Sequence, residues 1–269
     1  MQRRRDPEGA GGVFSRCGSA DLPATRAATT RYSEAAQAAV GRGPWAGGAG
    51  MCFSPEADVV AAVVIGGVGV DAARHVRTGA QWPLAALPLL FAGHTLVEAF
   101  VWWGLRGDVS GRVQTVATVL YLIFAFLVLP VYVPVTVLVL EHVPRHRPIE
   151  IITLVAGVIC AAGLAVALIS KPFTARPEGH HIVYHVHLHA GPVIIALYLV
   201  STCGALIVSG RRFLRWFGVF NLAAVALLAW VATEAVTSLW CAWAAVTSMA
   251  VAAYLRSAGP ADVDYAPQS

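Results

Sequence analysis

The chain has 269 residues and a formal net charge of +4; 57% of its residues are hydrophobic, only 13% are charged, and the mean hydropathy is +0.66. A soluble globular enzyme carries roughly 25% charged residues. The composition therefore excludes that class and points to an all-α, polytopic integral membrane helix bundle, with the lipid bilayer as its first partner.

Residues 1–50 differ in kind from the rest. They hold 11 Ala, 9 Gly and 7 Arg and no sustained apolar run. A secretory signal needs an apolar stretch after its basic residues, and none follows Arg3, Arg4 and Arg5. The segment reads either as a disordered arm with too little apolar surface to offset ordering entropy, or as sequence lying upstream of a working start at Met51. The second reading is favoured.

From Met51 to about residue 256, hydropathy divides the chain into seven predicted transmembrane helices, and residues 257–269 form a tail. The first run is Ala57 to Ala73, stopped by Arg74, His75 and Arg77. The second, Pro83 to Leu105, opens with proline at a helix start, where a missing N–H costs nothing, and has Trp82, Trp102 and Trp103 at its ends, as in aromatic belts. The third, Val113 to Leu140, would be about 42 Å long as a helix, against a hydrocarbon core of about 30 Å. It must tilt or kink, and Pro130 and Pro134 supply a kink. The fourth is Ile149 to Ser170 and the fifth Pro192 to Ser209. The sixth and seventh, Trp216 to Thr233 and Ala235 to Leu255, are divided only around Glu234.

Orientation follows from Lys and Arg in the loops. The side holding the loops after the first, third and fifth helices and the C-terminal tail carries 8; the other side, counted from Met51, carries 4. The C-terminus is predicted to be cytoplasmic in a bacterial inner membrane.

Several polar residues stand out against this apolar background. Glu98 lies one helical turn from His94 on the same face, so the two can hydrogen-bond. A charged carboxylate at mid-membrane costs about 2.5 to 3.5 kcal/mol, so Glu98 should face the bundle interior and be protonated or paired. The pair reads as a ligand, ion or proton site, or as a polar pin between helices. Glu234 is a second candidate acid for a ligand or proton site, placed in a short turn, and Asn221 is a further candidate for that site, with interhelical hydrogen bonding as its alternative. Cys241, Ala245, Ser248 and Ala252 form a small-residue stripe suited to close helix packing.

Five histidines fall between His180 and His189. As a strand the segment puts His185, His187 and His189 on one face; as a helix it aligns His181, His185 and His189. Either arrangement offers imidazoles to Zn²⁺ or Cu²⁺, and an interfacial or packing role is the alternative. No other cofactor is evident. Cys160, Cys203 and Cys241 lie in apolar runs and no C-x-x-C exists, so no disulfide framework or zinc ribbon is expected. No basic stripe interleaved with aromatics suggests nucleic acid. No Gly-rich phosphate loop is present to support nucleotide-driven pumping.

The stretch Met51-Cys-Phe-Ser54, the segment Leu84 to Phe91 leading to His94-Thr-Leu-Val-Glu98 and Val101-Trp-Trp103, and Ser238-Leu-Trp-Cys-Ala-Trp-Ala-Ala245 resemble a domain-of-unknown-function family of membrane proteins from high-GC bacteria whose members begin Met-Cys-Phe-Ser. The resemblance implies no activity, substrate or cofactor. It implies a start at Met51, and it implies that Glu98 is the more constant residue, since Gln stands at the position of His94 in some members.

The function these features favour is non-enzymatic: binding or transport of a small molecule, ion or proton at the Glu98 and His94 site, with an unidentified membrane partner or a second copy left open. The alternative is a metal-dependent intramembrane hydrolase, or a metal-binding membrane protein, using the His180 to His189 cluster. Seven-helix hydrolases of the ceramidase kind carry H-x-x-x-H on the last helix, and no histidine falls between Val236 and Leu255. A haem protein would need His94 and a loop histidine as axial ligands, but their predicted depths differ by about half a bilayer.

Overall fold

The computed structural model describes residues 54–141, 143–170, 173–178, 181–186, 190–231 and 236–257. The leader, His187, His189, Glu234 and most of the tail lie outside these residues. Among the described residues the chain is a helical bundle with one β-hairpin. Helix α1 is Pro55–Arg74, α2 is Trp82–Arg106, α3 is Gly111–Leu140, α4 is Arg147–Ser170, α5 is Gly191–Val208, α6 is Arg212–Val231 and α7 is Val236–Ser257. Four helical stretches are long and apolar enough to cross a membrane: Gly79–Arg106, which takes in a short 3₁₀ turn before α2, together with α3, α4 and α5.

Local chemistry sets the ends. Ser54 caps α1, its hydroxyl accepting from the Ala57 N–H at 3.2 Å, and Pro55 occupies the first turn. Gly107 ends α2 in the left-handed conformation, φ 84°, which only glycine adopts at no steric cost. Ser110 then caps α3.

The α3 kink takes a specific form. Residues Phe124–Val128 make a π-helical turn just before Pro130, whose ring cannot sit in an unbroken α-helical ladder. A second π turn, Val200–Gly204, interrupts α5 with no proline to cause it.

Polar contacts tie helix ends together at both ends of the bundle. At one end Arg106 pairs with Glu56 at 3.2 Å and the hairpin sits over α2 and α3. At the other, Arg256 pairs with Asp71 at 2.8 Å, and the Glu141 carboxylate accepts from the N–H groups of Val143 at 2.9 Å and Gly210 at 2.7 Å. Arg211 there donates to the Leu140 carbonyl at 3.0 Å. Side-chain placement suits hydrocarbon surroundings: on α4, Ile152, Val155, Ile159 and Val166 face outward while Thr153, Gly157, Cys160 and Leu164 are turned inward.

Burial alone would raise the Glu141 carboxyl, but its two backbone N–H donors outweigh that and hold it below the usual 4.5. A carboxyl lowered on folding contributes stability that is complete above about pH 4.5 and is lost as pH falls through the folded value. Glu141→Ala leaves both donors without their acceptor, an expected loss of about 2–3 kcal/mol at pH 7. Detergent-solubilised wild-type protein should melt progressively earlier below pH 4.5, while the variant's melting temperature should be flatter across the same range.

The hairpin settles the geometry of part of the histidine cluster. β1, Thr174–Glu178, pairs antiparallel with β2, His181–His185, in the register Thr174↔His185 to Glu178↔His181. His181 and His185 are therefore in a strand, and the helical alignment at spacings of four is not formed there. The reason is the alternation of β-branched and aromatic residues along Ile182, Val183 and Tyr184, which suits a pleated, half-buried surface. Ile182 is buried against Val101, Trp102 and Ala117. Trp102 is thus covered by the hairpin and does not belong to a lipid-facing belt.

Candidate functional site

The site begins with close packing of α1 on α2. A Cβ at Gly69 would come within 2.7 Å of Leu89, and one at Gly66 within 3.6 Å of Ala92. Small residues at this seam let the two backbones approach. The antiparallel register set by these contacts carries Asp58, near the start of α1, to the level of Glu98, near the end of α2. Both are almost fully enclosed, at 2% and 4% exposure, and their carboxyls are close enough to repel. Oδ2 of Asp58 has no hydrogen-bond partner.

His94 lies one turn deeper on α2, 5% exposed. Its ring is stacked on Tyr121 at 4.1 Å and 24°, and tilted against Phe124 at 4.5 Å, both from α3. Neither Nδ1 nor Nε2 has a hydrogen-bond partner. The hydrogen bond to Glu98 expected from helical spacing is therefore absent: the two aromatic rings of α3 fix the imidazole plane, and that rotamer does not serve the carboxylate. A neutral imidazole carries one donor and one acceptor. Leaving both unsatisfied in a buried site is costly, and such exceptions call for a reason.

Tyr121 is also stacked on Tyr184 of β2, at 4.6 Å and 13°. An unbroken aromatic column thus runs from the hairpin through Tyr121 to His94 and Phe124. It places the hairpin above the polar site at the Arg106 end of the bundle. Among the described residues no three or more His, Cys, Asp or Glu side chains are arranged to hold a metal ion.

Sequence reasoning missed Asp58. It sits in the first turn of a capped helix, where an acidic residue is ordinary, and only the helix seam brings it to Glu98. The Gly66-x-x-Gly69 spacing was the available signal. Glu150, fully buried beside Glu141 at the opposite end, was likewise missed.

Asn221 links two helices. Its Nδ2 donates to the Phe217 carbonyl at 2.7 Å, and its Oδ1 accepts from the Trp243 indole N–H at 2.9 Å, joining α6 to α7. A double-mutant cycle with Asn221→Ala and Trp243→Phe, read by unfolding in detergent, should give a coupling of about 0.6 to 1.7 kcal/mol. On α7, Ser248 and Ala252 of the small-residue stripe are buried. Cys160 and Cys203 are free thiols buried in the packing.

The class these features define is an α-helical bundle with four helices able to cross a membrane and a buried acid pair beneath a hairpin. The chain belongs to the Family of unknown function (DUF6629), whose model matches residues 51–265. No curated protein and no solved structure matches it.

Proposed function

We propose that this is a seven-helix inner-membrane protein, with its C-terminus in the cytoplasm, that binds and passes protons at Asp58, Glu98 and His94. The observation that carries this reading is the enclosure of two facing carboxyls beside an imidazole whose nitrogens are both unpartnered. Two carboxylates close together in a low-dielectric interior favour sharing one proton over holding two negative charges. Ionisable residues enclosed among membrane helices are expensive, and they mark proton relays and ion paths by default. The set is poor for a bare metal ion, with only two carboxylates and one imidazole and no arrangement that converges them.

Helices α1, α6 and α7, with 20, 20 and 22 residues, complete the seven spans. Each would be roughly 30 Å long, enough for the hydrocarbon core. With the basic residues of the Arg74, Arg147, Arg211 and Arg256 end inside, the hairpin and the site's nearer end face outward.

The test is proton flux in proteoliposomes loaded with a pH-sensitive dye and given a pH step with a potassium and valinomycin shunt. Wild-type protein should collapse the gradient faster than empty vesicles, and the double variant Asp58→Asn, Glu98→Gln should not. Equal leakage from wild-type, variant and protein-free vesicles overturns the proposal.

A further inference from the structure

A cavity that is partly open to its surroundings lies apart from the acid pair, among the helices of the bundle. It has a volume of about 310 Å³ and is walled by side chains of α2 to α7, among them Phe91, Leu129, Tyr198, Thr202 and Trp243. Native interiors contain few voids larger than a water molecule. An apolar cavity of about 150 Å³ in a soluble protein stays dry and takes up benzene; this one is about twice that size.

Its polar wall groups are already used. The Thr202 hydroxyl donates to the Tyr198 carbonyl at 2.8 Å, and the Thr247 and Ser248 hydroxyls donate to the Ala244 carbonyl at 3.0 and 2.6 Å. The Tyr198 hydroxyl donates to the Ala125 carbonyl at 3.0 Å, and the Trp243 indole donates to Asn221. A water molecule needs two to four polar partners to be held, and these walls offer few. The preferred occupant is therefore hydrocarbon.

The backbone around the space gives a second, independent indication. The π turns of α3 and α5 both border it: Phe126 belongs to the first and Thr202 and Cys203 to the second, and a hydrogen bond from Tyr198, just before the second, reaches Ala125 in the first. Proline accounts for the turn in α3, whereas the one in α5 has no such cause. Turns of this kind recur at functional sites, where they re-aim side chains. Here the re-aimed residues are the cavity wall.

We infer that the cavity walled by α2 to α7 is a binding site for a single hydrocarbon chain drawn from the bilayer, either the acyl chain of a phospholipid or an isoprenyl chain. The site is separate from Asp58 and Glu98 and does not depend on their role. One end of it adjoins Phe91, whose ring packs edge-on against Phe124 at 6.1 Å, and Phe124 in turn contacts His94. The occupant therefore meets Phe91, one ring removed from the wall that positions the imidazole.

The test is photolabelling of the full chain in liposomes, with a diazirine placed mid-chain on a phosphatidylethanolamine in one arm and on a polyprenol in the other, and adducts mapped by mass spectrometry. Adducts should concentrate on Tyr198, Thr202 and Trp243 in at least one arm, and the arm that gives them identifies the source. Val225→Trp and Ala244→Phe, which fill the space, should lower cavity adducts about tenfold or more, as a filled pocket excludes its ligand. Adducts on outward-facing Ile152 and Ile159 should be unchanged. Excess dodecanol competing against the wild-type protein gives the same comparison without a substitution. Cavity adducts no denser than those on Ile152 and Ile159, or insensitive to dodecanol, overturn the inference.

Discussion

Glu98→Gln should cut proton flux by roughly 100-fold, the scale on which a positioned proton-transfer group acts, while leaving the protein folded. Gln keeps the volume and a carbonyl acceptor but cannot exchange a proton with Asp58, and it relieves the repulsion between the two carboxyls. Its melting temperature should equal or exceed that of the wild type. Glu98→Ala should lose flux and stability together: it opens a void at an almost fully enclosed position, a cost on the order of 2–3 kcal/mol. Glu98→Asp keeps the charge with a shorter reach and should retain partial flux. This ordering separates the proton reading from a purely structural pin. A pin predicts that flux and melting temperature fall in parallel across the three variants, because each would act only by weakening the α1 to α2 seam. If Glu98→Gln and Glu98→Ala both leave flux and stability unchanged, neither reading survives.

His94 refines the same prediction. Its ring is held by Tyr121 and Phe124 with both nitrogens unpartnered, so His94→Gln keeps hydrogen-bonding capacity but loses the stack. Flux should fall less than for Glu98→Gln, because both carboxyls remain. Tyr184→Leu should act through the column, changing the pH at which flux is half-maximal without abolishing it.

The helices were legible because a chain built for hydrocarbon must keep its apolar residues contiguous. Runs such as Ile149 to Ser170 and Pro192 to Ser209 coincide with α4 and α5 to within a few residues. The third run was read as one long kinked helix, and α3 is continuous from Gly111 to Leu140 with its distortion next to Pro130. The π turn in α5 was not legible, since no composition or spacing distinguishes Val200–Gly204 from ordinary helix. Of the site, Glu98 and His94 were visible as polar residues in an apolar run. Their relation was misjudged because spacing along one helix says which face a residue shares, whereas the side-chain rotamer is set by neighbours on another helix. Asp58 escaped for a similar reason: its significance comes from the register of α1 against α2, which depends on Gly66 and Gly69 finding Ala92 and Leu89. The strand reading of His181 to His185 was available from alternation. The choice between strand and helix was not, because the partner strand contains Pro177 and Gly179 follows it, so that segment reads as loop.

Gly157→Ala should be among the most destabilising single-methyl additions in the molecule. Gly157 lies midway along α4, and a Cβ there would fall on the carbonyl oxygen of Pro130 in α3, with the Ser201 side chain of α5 at 3.2 Å on the other side. The obstacle is backbone, so no rotamer change relieves it. Overpacking of a well-filled interior costs about 1–3 kcal/mol and occasionally more, and a contact against a fixed carbonyl belongs at the upper end. The usual gain from replacing a helical glycine with alanine, about 1 kcal/mol from backbone entropy, should be overwhelmed. The position also joins the two π turns: Pro130 follows the first and Ser201 belongs to the second. Forcing α4 outward should therefore loosen the Tyr198 to Ala125 hydrogen bond and widen the cavity between α3 and α5. Two measurements check this: the melting temperature in detergent should drop by several degrees, and cavity photolabelling should rise or lose its selectivity for Tyr198 and Thr202. Gly163→Ala is the control, because there a Cβ would meet only the far end of the Ile194 side chain, at 2.8 Å, which can turn aside. Equal stability of the two variants would mean that α4 is not held against the Pro130 carbonyl.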